Sequence, residues 1–396
     1  MHNFFRHLIG FVILVILPVS LYSKNILSKS ATVSILTCSE GDELYSAFGH
    51  SAIRVFDKER NVDLVFNYGT FDFNTPNFYL KFANGKLNYL LSYNKFKRFL
   101  PEYFSDNRGV IEQELNLSYK EKQQIFNALI ENYKPENRFY KYDFFYDNCA
   151  TRIFDIIKDN IDGEVIIKRD TINCDRTFRN YLHHYLSESP WIEMGLKILL
   201  GLPADKIATP KESTFLPDFL MEVLNNSEIS STDNSRDLIA KTNILLEKDL
   251  TKTGDNFRIT PIFCAWMLLI LVLLGSFLIN KAHFAWNIFD RILFGVCGLI
   301  GLLILYLWLA TDHQVTRYNM NILWSFPSFI IIALFNWKSN KNKKLLWVNL
   351  VLVTIFIIGW YWIPQDFPQA SLPFSIIILY RIISRIKPVF MELQTP

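Results

Sequence analysis

Two residues of this chain have the types and settings for nucleophilic chemistry. Cys149 lies in the segment DNCATRIFDIIKD, where Ile153, Ile156 and Ile157 share a helical face and Asp147 or Asn148 can cap the open amides. The first turn of a helix offers unsatisfied N–H groups and the positive end of the dipole, both of which stabilise a thiolate. On that basis Cys149 is expected to react well below the pH of about 8.5 of a free cysteine. A thiol nucleophile needs a base, and His50, in AFGHSAIRVF at the start of a predicted strand, can take the proton and later return it to a leaving group. The plain alternative is a hydrogen-bonded core histidine and a small buried cysteine, since the spacing of the two is a weak motif by itself.

The other cysteines and histidines narrow the choice. Of five cysteines, Cys264 and Cys297 fall in long apolar runs, which leaves Cys38, Cys149 and Cys174. Three is an odd number, so one disulfide at most forms among them, and Cys38 with Cys174 is the intramolecular pair that spares Cys149. His183 and His184 are adjacent in a predicted helix and point in different directions.

The elements that must position Cys149 and His50 follow from local pattern. Residues 33–36, 51–56 and 62–68 are short β-branched or aromatic runs, and the polar tip between the last two predicts a hairpin. SYKEKQQIFNALIENY spaces Ser118 and Glu121 as a capping box and Ile125, Leu129 and Tyr133 as a helical face. Residues 181–186 and 193–200 look helical, and 225–236 is polar enough to be a linker. No internal repeat, Walker-type loop or dinucleotide fingerprint occurs, so no cofactor or metal is expected.

Composition places this domain outside a cell membrane. The chain has 396 residues, 50% apolar and 20% charged, with a mean hydropathy of +0.14. Its net charge of +3 divides unevenly: 31 basic and 34 acidic residues precede Pro261, and 10 basic and 4 acidic follow it. With no basic stripe, nucleic-acid binding is disfavoured. Arg6, the apolar run 11–17, then Pro18, Ser20 and Ser23 give the three regions of a secretory signal, with an uncleaved anchor as the alternative. Five apolar segments, 262–279, 292–309, 322–337, 345–363 and 374–386, are candidate spans, the third and fifth being short. Lys281, Arg291, four lysines in 338–344, and Arg381, Arg385 and Lys387 mark the cytoplasmic side by the positive-inside rule, while Trp266, Trp308, Trp324, Trp347, Trp360 and Trp362 suit the interfaces. The expected organisation is a signal or anchor at 1–23, an exported domain at 24–225, a linker at 226–261 and a membrane domain at 262–396.

The strings LTCSEGDELYSAFGHSAIRV, LVFNYGTFDFNTPNFYLKFANGKLNYLL and ENRFYKYDFFYDNCATRI resemble the Lnb N-terminal periplasmic domain family over residues 33–157. TDHQVTRYNMNILW, at 311–324, extends the resemblance into the membrane part. The family's namesake is a lipoprotein N-acyltransferase, and its members are similar to permuted papain-like enzymes in which a strand-borne histidine precedes a helix-borne cysteine. The fold implied is an α+β exported domain, permuted papain-like, followed by an α-helical membrane domain of about five spans in the bacterial inner membrane.

That resemblance implies a reaction and a set of roles. An acyl chain moves from the diacylglyceryl ester of a lipoprotein to the α-amine of its N-terminal cysteine, through an acyl-thioester on Cys149 with His50 as base. Amides at the start of the Cys149 helix, with Asn148, are candidates for the oxyanion site. Asn67 or Tyr68, opposite His50 if the hairpin forms, are candidates to orient it, with Asp72 a weaker one. Asp312, His313, Asn319 and Asn321 form a polar cluster on the exported side, read either as solvated interfacial residues or as a substrate-binding group. Lipoproteins and membrane phospholipid are the expected partners. A papain-like amidase or peptidase, a phospholipid acyl hydrolase, and a non-enzymatic receptor or assembly factor are the competing readings.

Overall fold

Strand β1 (Thr32–Cys38) is buried at six of its seven positions, with Val33, Ile35, Leu36 and Cys38 fully enclosed. A strand covered on both faces needs no polar alternation, which explains its near-continuous apolar run. It lies inside a sheet in the computed structural model of the protein, which describes residues 26–168, 175–232, 234–249, 259–278, 283–335 and 340–392. The predicted signal segment and Cys174 lie outside these residues.

The chain forms two compact units. Among the described residues the first holds 26–72, 88–168 and 210–249, and the second holds 73–87, 175–209 and 259–392. In the first, β1 is followed by β2 (His50–Asp57), β3 (Val62–Thr70), β4 (Asn88–Lys95), β5 (Val110–Leu115) and β6 (Phe139–Lys141). The predicted hairpin is β2–β3, with Asp57 opposite Val62 and Ile53 opposite Phe66. Its tip turns through Asn61 at φ 54°, and the Asp57 carboxylate accepts from the Glu59 and Arg60 amides at 3.0 and 3.1 Å.

Between β3 and β4 the chain enters the second unit through α1 (Phe78–Ala83). Back in the first unit, α2 (Phe96–Ser105) precedes β5. The predicted capping box starts α3 (Tyr119–Tyr133): Glu121 donates its amide to Ser118 Oγ, and its carboxylate accepts from the Ser118 amide. That carboxylate is buried and also held by Arg236 at 2.6 and 2.7 Å. Helix α4 (Cys149–Asp159) buries Ala150, Ile153, Phe154 and Ile157, so Phe154 rather than Ile156 completes its inner face.

After β7 (Glu164–Ile167) come α5 (Phe178–Leu186) and α6 (Pro190–Leu199), which agree with the two helices expected there but belong to the second unit. The first unit resumes with α7 (Pro217–Asn225), β8 (Ser227–Ser230), β9 (Ser235–Asp237) and β10 (Ile239–Leu246). Here the linker expectation for 226–261 is corrected. β7, β8 and β9 form a small sheet, and β10 completes a seven-stranded antiparallel sheet of order β10-β5-β1-β2-β3-β4-β6. As an edge strand with a largely exposed face, β10 carries Lys241, Thr242 and Asn243 and so lacks the apolar signal of a central strand.

In the second unit, α8 (Pro261–Leu278) and residues 284–309 of α9 (His283–Leu309) are long and apolar enough to cross a membrane. The third expected span is not one helix. Met320–Leu323 is a 3₁₀ turn, and α10 (Ser328–Leu334) has only seven residues, because Pro327 lacks the amide a continuous helix would need. Helices α11 (Asn340–Gly359) and α12 (Ser371–Glu392) have 20 and 22 residues. All five contribute to one apolar core that includes Leu269, Phe294, Phe329, Val353, Phe356 and Ile378.

Candidate active site

Cys149 is the first residue of α4, and the residue before it builds that end. Asn148 is the N-cap: its Oδ1 accepts from the Ala150 and Thr151 amides at 2.8 and 3.0 Å, while Thr151 Oγ1 accepts from the Asn148 amide at 2.8 Å. Its Nδ2 donates to the carbonyls of Phe144 and Phe215 at 2.7 and 2.8 Å. Both amide hydrogens are therefore engaged, and Asn148 positions the helix rather than offering a donor to an oxyanion. Asp147, the other capping candidate, instead pairs with Arg152 at 2.5 and 2.8 Å.

His50 is the first residue of β2, directly across from Cys38 of β1. The glycine before it is required twice over. Gly49 sits at φ +74°, and a Cβ there would lie 2.7 Å from the Cys38 carbonyl oxygen. Asn67 on β3 is the group that orients His50, with Nε2 and Oδ1 3.1 Å apart. Because Asn67 Nδ2 donates to the Val65 carbonyl at 3.2 Å, the amide oxygen is the end that faces the ring. An amide oxygen only accepts, so His50 Nε2 carries the hydrogen and Nδ1 is left with its lone pair. Counting back from the Ile53–Phe66 pair puts Asn67 on the His50 face of the hairpin, within diagonal reach. The Tyr68 hydroxyl accepts from Asn132 Nδ2 at 2.7 Å instead.

Cys149 and His50 line one cavity of about 100 Å³, together with Tyr68, Gly69 and the rings of Phe48, Phe71, Tyr142, Phe144 and Phe215. Asp72 is not part of its wall. Each of the pair is partly exposed, to this cavity, yet densely surrounded by protein. That desolvation raises the Cys149 thiol above its ordinary value, although the amides of Ser51, Ala150 and Cys149 itself pull it down. Desolvation likewise lowers the His50 imidazole to about 4, against the Asn67 bond that favours its charged form and with the help of the nearby Arg108 charge.

The resting pair is thus a neutral thiol and a neutral imidazole, which corrects the expectation of a preformed thiolate. Alkylation of the Cys149 peptide by iodoacetamide, followed by mass spectrometry, is expected to accelerate only at a pH higher than a free cysteine requires; a plateau already reached at pH 7 would contradict this. Asn67→Asp places a carboxylate beside the imidazole, which favours its protonated form. The acidic limb of the activity profile is expected to rise by about one unit or more from its position near pH 4. A pH–rate series on the two proteins checks it.

Behind His50, Cys38 is a free, fully buried thiol pushed up to about 12 by desolvation, and the partner of the expected Cys38–Cys174 bridge lies outside the described residues. It hydrogen-bonds Tyr103, whose ring lies under the Arg108 guanidinium at 4.6 Å, and Arg108 Nε donates to the Ser39 carbonyl at 2.9 Å. Sequence reasoning did not single out Tyr103 or Arg108, because nothing local to either marks it as a neighbour of β1 and β2.

The polar cluster at 312–321 is internal to the second unit. Asn319 and Asn321 are fully buried and close the C-terminal end of α6: Asn319 Nδ2 donates to the Ile198 and Leu199 carbonyls at 2.7 and 3.1 Å, and Asn321 Nδ2 to Lys197 at 3.1 Å. Their oxygens accept from Gln365 Nε2 and Trp324 Nε1, at 3.2 and 2.9 Å. Neither retains a polar atom for a substrate, so the substrate-binding reading of these two residues is corrected to a helix-capping one. The Asp312 amide donates to the Asn84 carbonyl at 3.0 Å, and His313 Nε2 lies 3.2 Å from the Phe82 carbonyl. His183 sits in this unit as well, 2.8 Å from Glu193.

Residues 20–180 match the family model described as the Lnb N-terminal periplasmic domain, and residues 252–389 match the one described as the Lnb transmembrane domain. No curated protein and no solved structure matches the chain. With both domains of one family present in order over most of its length, the chain belongs to the Lnb family, a membrane protein with a periplasmic N-terminal domain.

Proposed function

We propose that this protein is a lipoprotein N-acyltransferase that works through an acyl-thioester on Cys149. The observation that carries the reading is the cavity: a helix-initial cysteine and a histidine whose Nε2 is tied to Asn67 share an aromatic-walled space in a periplasmic domain. The strand-then-helix order of His50 and Cys149 is that of a permuted papain-like arrangement. His50 Nδ1 takes the thiol proton as sulfur attacks the ester carbonyl of the diacylglyceryl group. The imidazolium returns that proton to the departing glyceryl oxygen, leaving the acyl group on sulfur. The α-amine of the lipoprotein's N-terminal cysteine then attacks the thioester, His50 accepts its proton, and the thiolate leaves and is reprotonated. The Cys149 amide, at the helix start and close to the sulfur, is the candidate donor to the oxyanion in both steps.

The aromatic wall favours a fatty acyl chain over a hydrophilic peptide. It also limits the water that would turn transfer into hydrolysis. Lipoproteins and membrane phospholipid are the proposed partners, in an inner membrane with the C-terminus in the cytoplasm. A reporter fused after Lys343 is expected to read as cytoplasmic; a periplasmic signal would reverse the orientation. The activity itself is tested by mass spectrometry of N-terminal lipopeptides from cells with and without the protein. Unchanged α-amine acylation on its loss would remove the acyltransferase reading.

A further inference from the structure

The segment Phe73–Leu87, inserted between β3 and β4, presents an exposed apolar surface among the described residues. Phe73, Tyr79, Leu80 and Phe82 are 61%, 80%, 59% and 53% exposed. They are not a loose tail. Phe78 lies between Phe73 and Phe82, with ring centroids 4.9 and 6.4 Å away, so the aromatic rings form one preorganised patch. Scattered exposed apolar residues need no explanation, but a contiguous cluster of this size marks a surface that meets an apolar partner.

The partner is identified by what holds the segment. Tyr306 donates its hydroxyl to Asn84 Oδ1 at 2.5 Å, and Tyr306 stands in the last turn of α9, one of the two helices able to cross a membrane. Just beyond that helix, the Asp312 amide donates to the Asn84 carbonyl, and His313 approaches the Phe82 carbonyl. Gly85 makes the approach feasible. At φ +68° its backbone takes a turn that other residues resist, and a Cβ there would come within 3.3 Å of Asp312 and 3.4 Å of His313. The aromatic patch is therefore pinned, by hydrogen bonds within one unit, to the point where a spanning helix leaves the hydrocarbon. Aromatic residues beside basic ones, here Lys81 and Lys86, are the composition of the headgroup boundary.

We propose that Phe73–Leu87 is a membrane-docking loop whose aromatic face lies in the lipid interface at the C-terminal end of α9. This assigns Asp312 and His313 a role the sequence did not suggest: they hold the loop at interfacial depth. The inference rests on the membrane character of the second unit and not on acyl transfer, so either can fail without the other.

The full-length protein in nanodiscs of phosphatidylcholine and phosphatidylglycerol, with an environment-sensitive dansyl amino acid at position 79, tests it. The expected result is blue-shifted emission, strong quenching by lipid carrying a shallow doxyl group, and weak quenching by aqueous iodide. The same probe at position 278, in α8, provides the lipid-exposed reference. Strong iodide quenching without doxyl quenching would overturn the proposal in favour of a water-exposed loop. Protection from both quenchers would overturn it in favour of a protein partner. A second variant, Asn84→Ala, removes the Tyr306 bond. It is expected to lower doxyl quenching at 79 while leaving 278 unchanged, and an unchanged value at 79 would refute the pin.

Discussion

Cys149→Ala is expected to lower α-amine acylation by roughly six orders of magnitude, the scale of losing a nucleophile, while leaving the fold intact. The second half of that statement follows from the local structure. The N-terminal end of α4 is held by Asn148 and Thr151, not by Cys149, and the thiol makes no contact that the helix depends on. Replacing a desolvated thiol by a methyl group leaves every capping bond in place, so the melting temperature is expected to stay within about two degrees of the parent. His50→Ala is expected to cost about 10²–10⁴ in rate. The double variant should be no slower than Cys149→Ala alone, because a base has nothing to deprotonate once the nucleophile is gone. Single-turnover transfer from a defined diacyl lipopeptide, read by mass spectrometry, measures all three. Full activity in Cys149→Ala with an unchanged fold would move the protein to the receptor or assembly-factor reading.

The parts legible beforehand were those decided by neighbours in sequence. Ser118 and Glu121 fix the start of α3 within one turn, and Asn61 with Asp57 fixes the β2–β3 tip within five residues. With the hairpin assumed but its register open, either Asn67 or Tyr68 could fall on the His50 face; the observed register puts Asn67 there and turns Tyr68 to the other face. The remainder depends on what packs from a distance. The ionisation of Cys149 follows from the helix start alone only if the site is wet. The aromatic rings of Tyr142, Phe144 and Phe215, from two separate segments, desolvate it and reverse the sign. Asn319 and Asn321 share that limit: a polar pair at an apolar boundary is equally compatible with a ligand and with the carbonyl end of a helix, and α6 is more than a hundred residues earlier in the chain. Strands β8 to β10 were hidden for a third reason, because short or edge strands expose one side and carry polar residues there.

The largest stability effect is expected at Asp290, which lies in α9 and is fully buried. Its carboxylate accepts from Arg381 Nε and Nη2 at 2.7 and 3.0 Å, and from Arg385 as well. Arg381 also lies over the Trp286 ring at 4.4 Å, and Arg385 donates to Asn287 and to the Trp286 carbonyl. One acid thus pairs with two guanidinium groups on α12 and ties that helix to α9. Asp290→Ala removes the counter-charge and leaves Arg381, 5% exposed, without a carboxylate in a poorly hydrated setting. Breaking a buried pair from one side costs about 3–5 kcal/mol, which is a large share of the stability of an ordinary domain. Asp290→Asn keeps an acceptor oxygen but not the charge and is expected to fall between the two. The decisive comparison adds Arg381→Met and Arg385→Met to Asp290→Ala. With no charge left to desolvate, the triple variant is expected to recover most of the loss, measured as thermal unfolding in detergent. If it unfolds as early as Asp290→Ala, the cost belongs to packing around residue 290 and not to uncompensated charge.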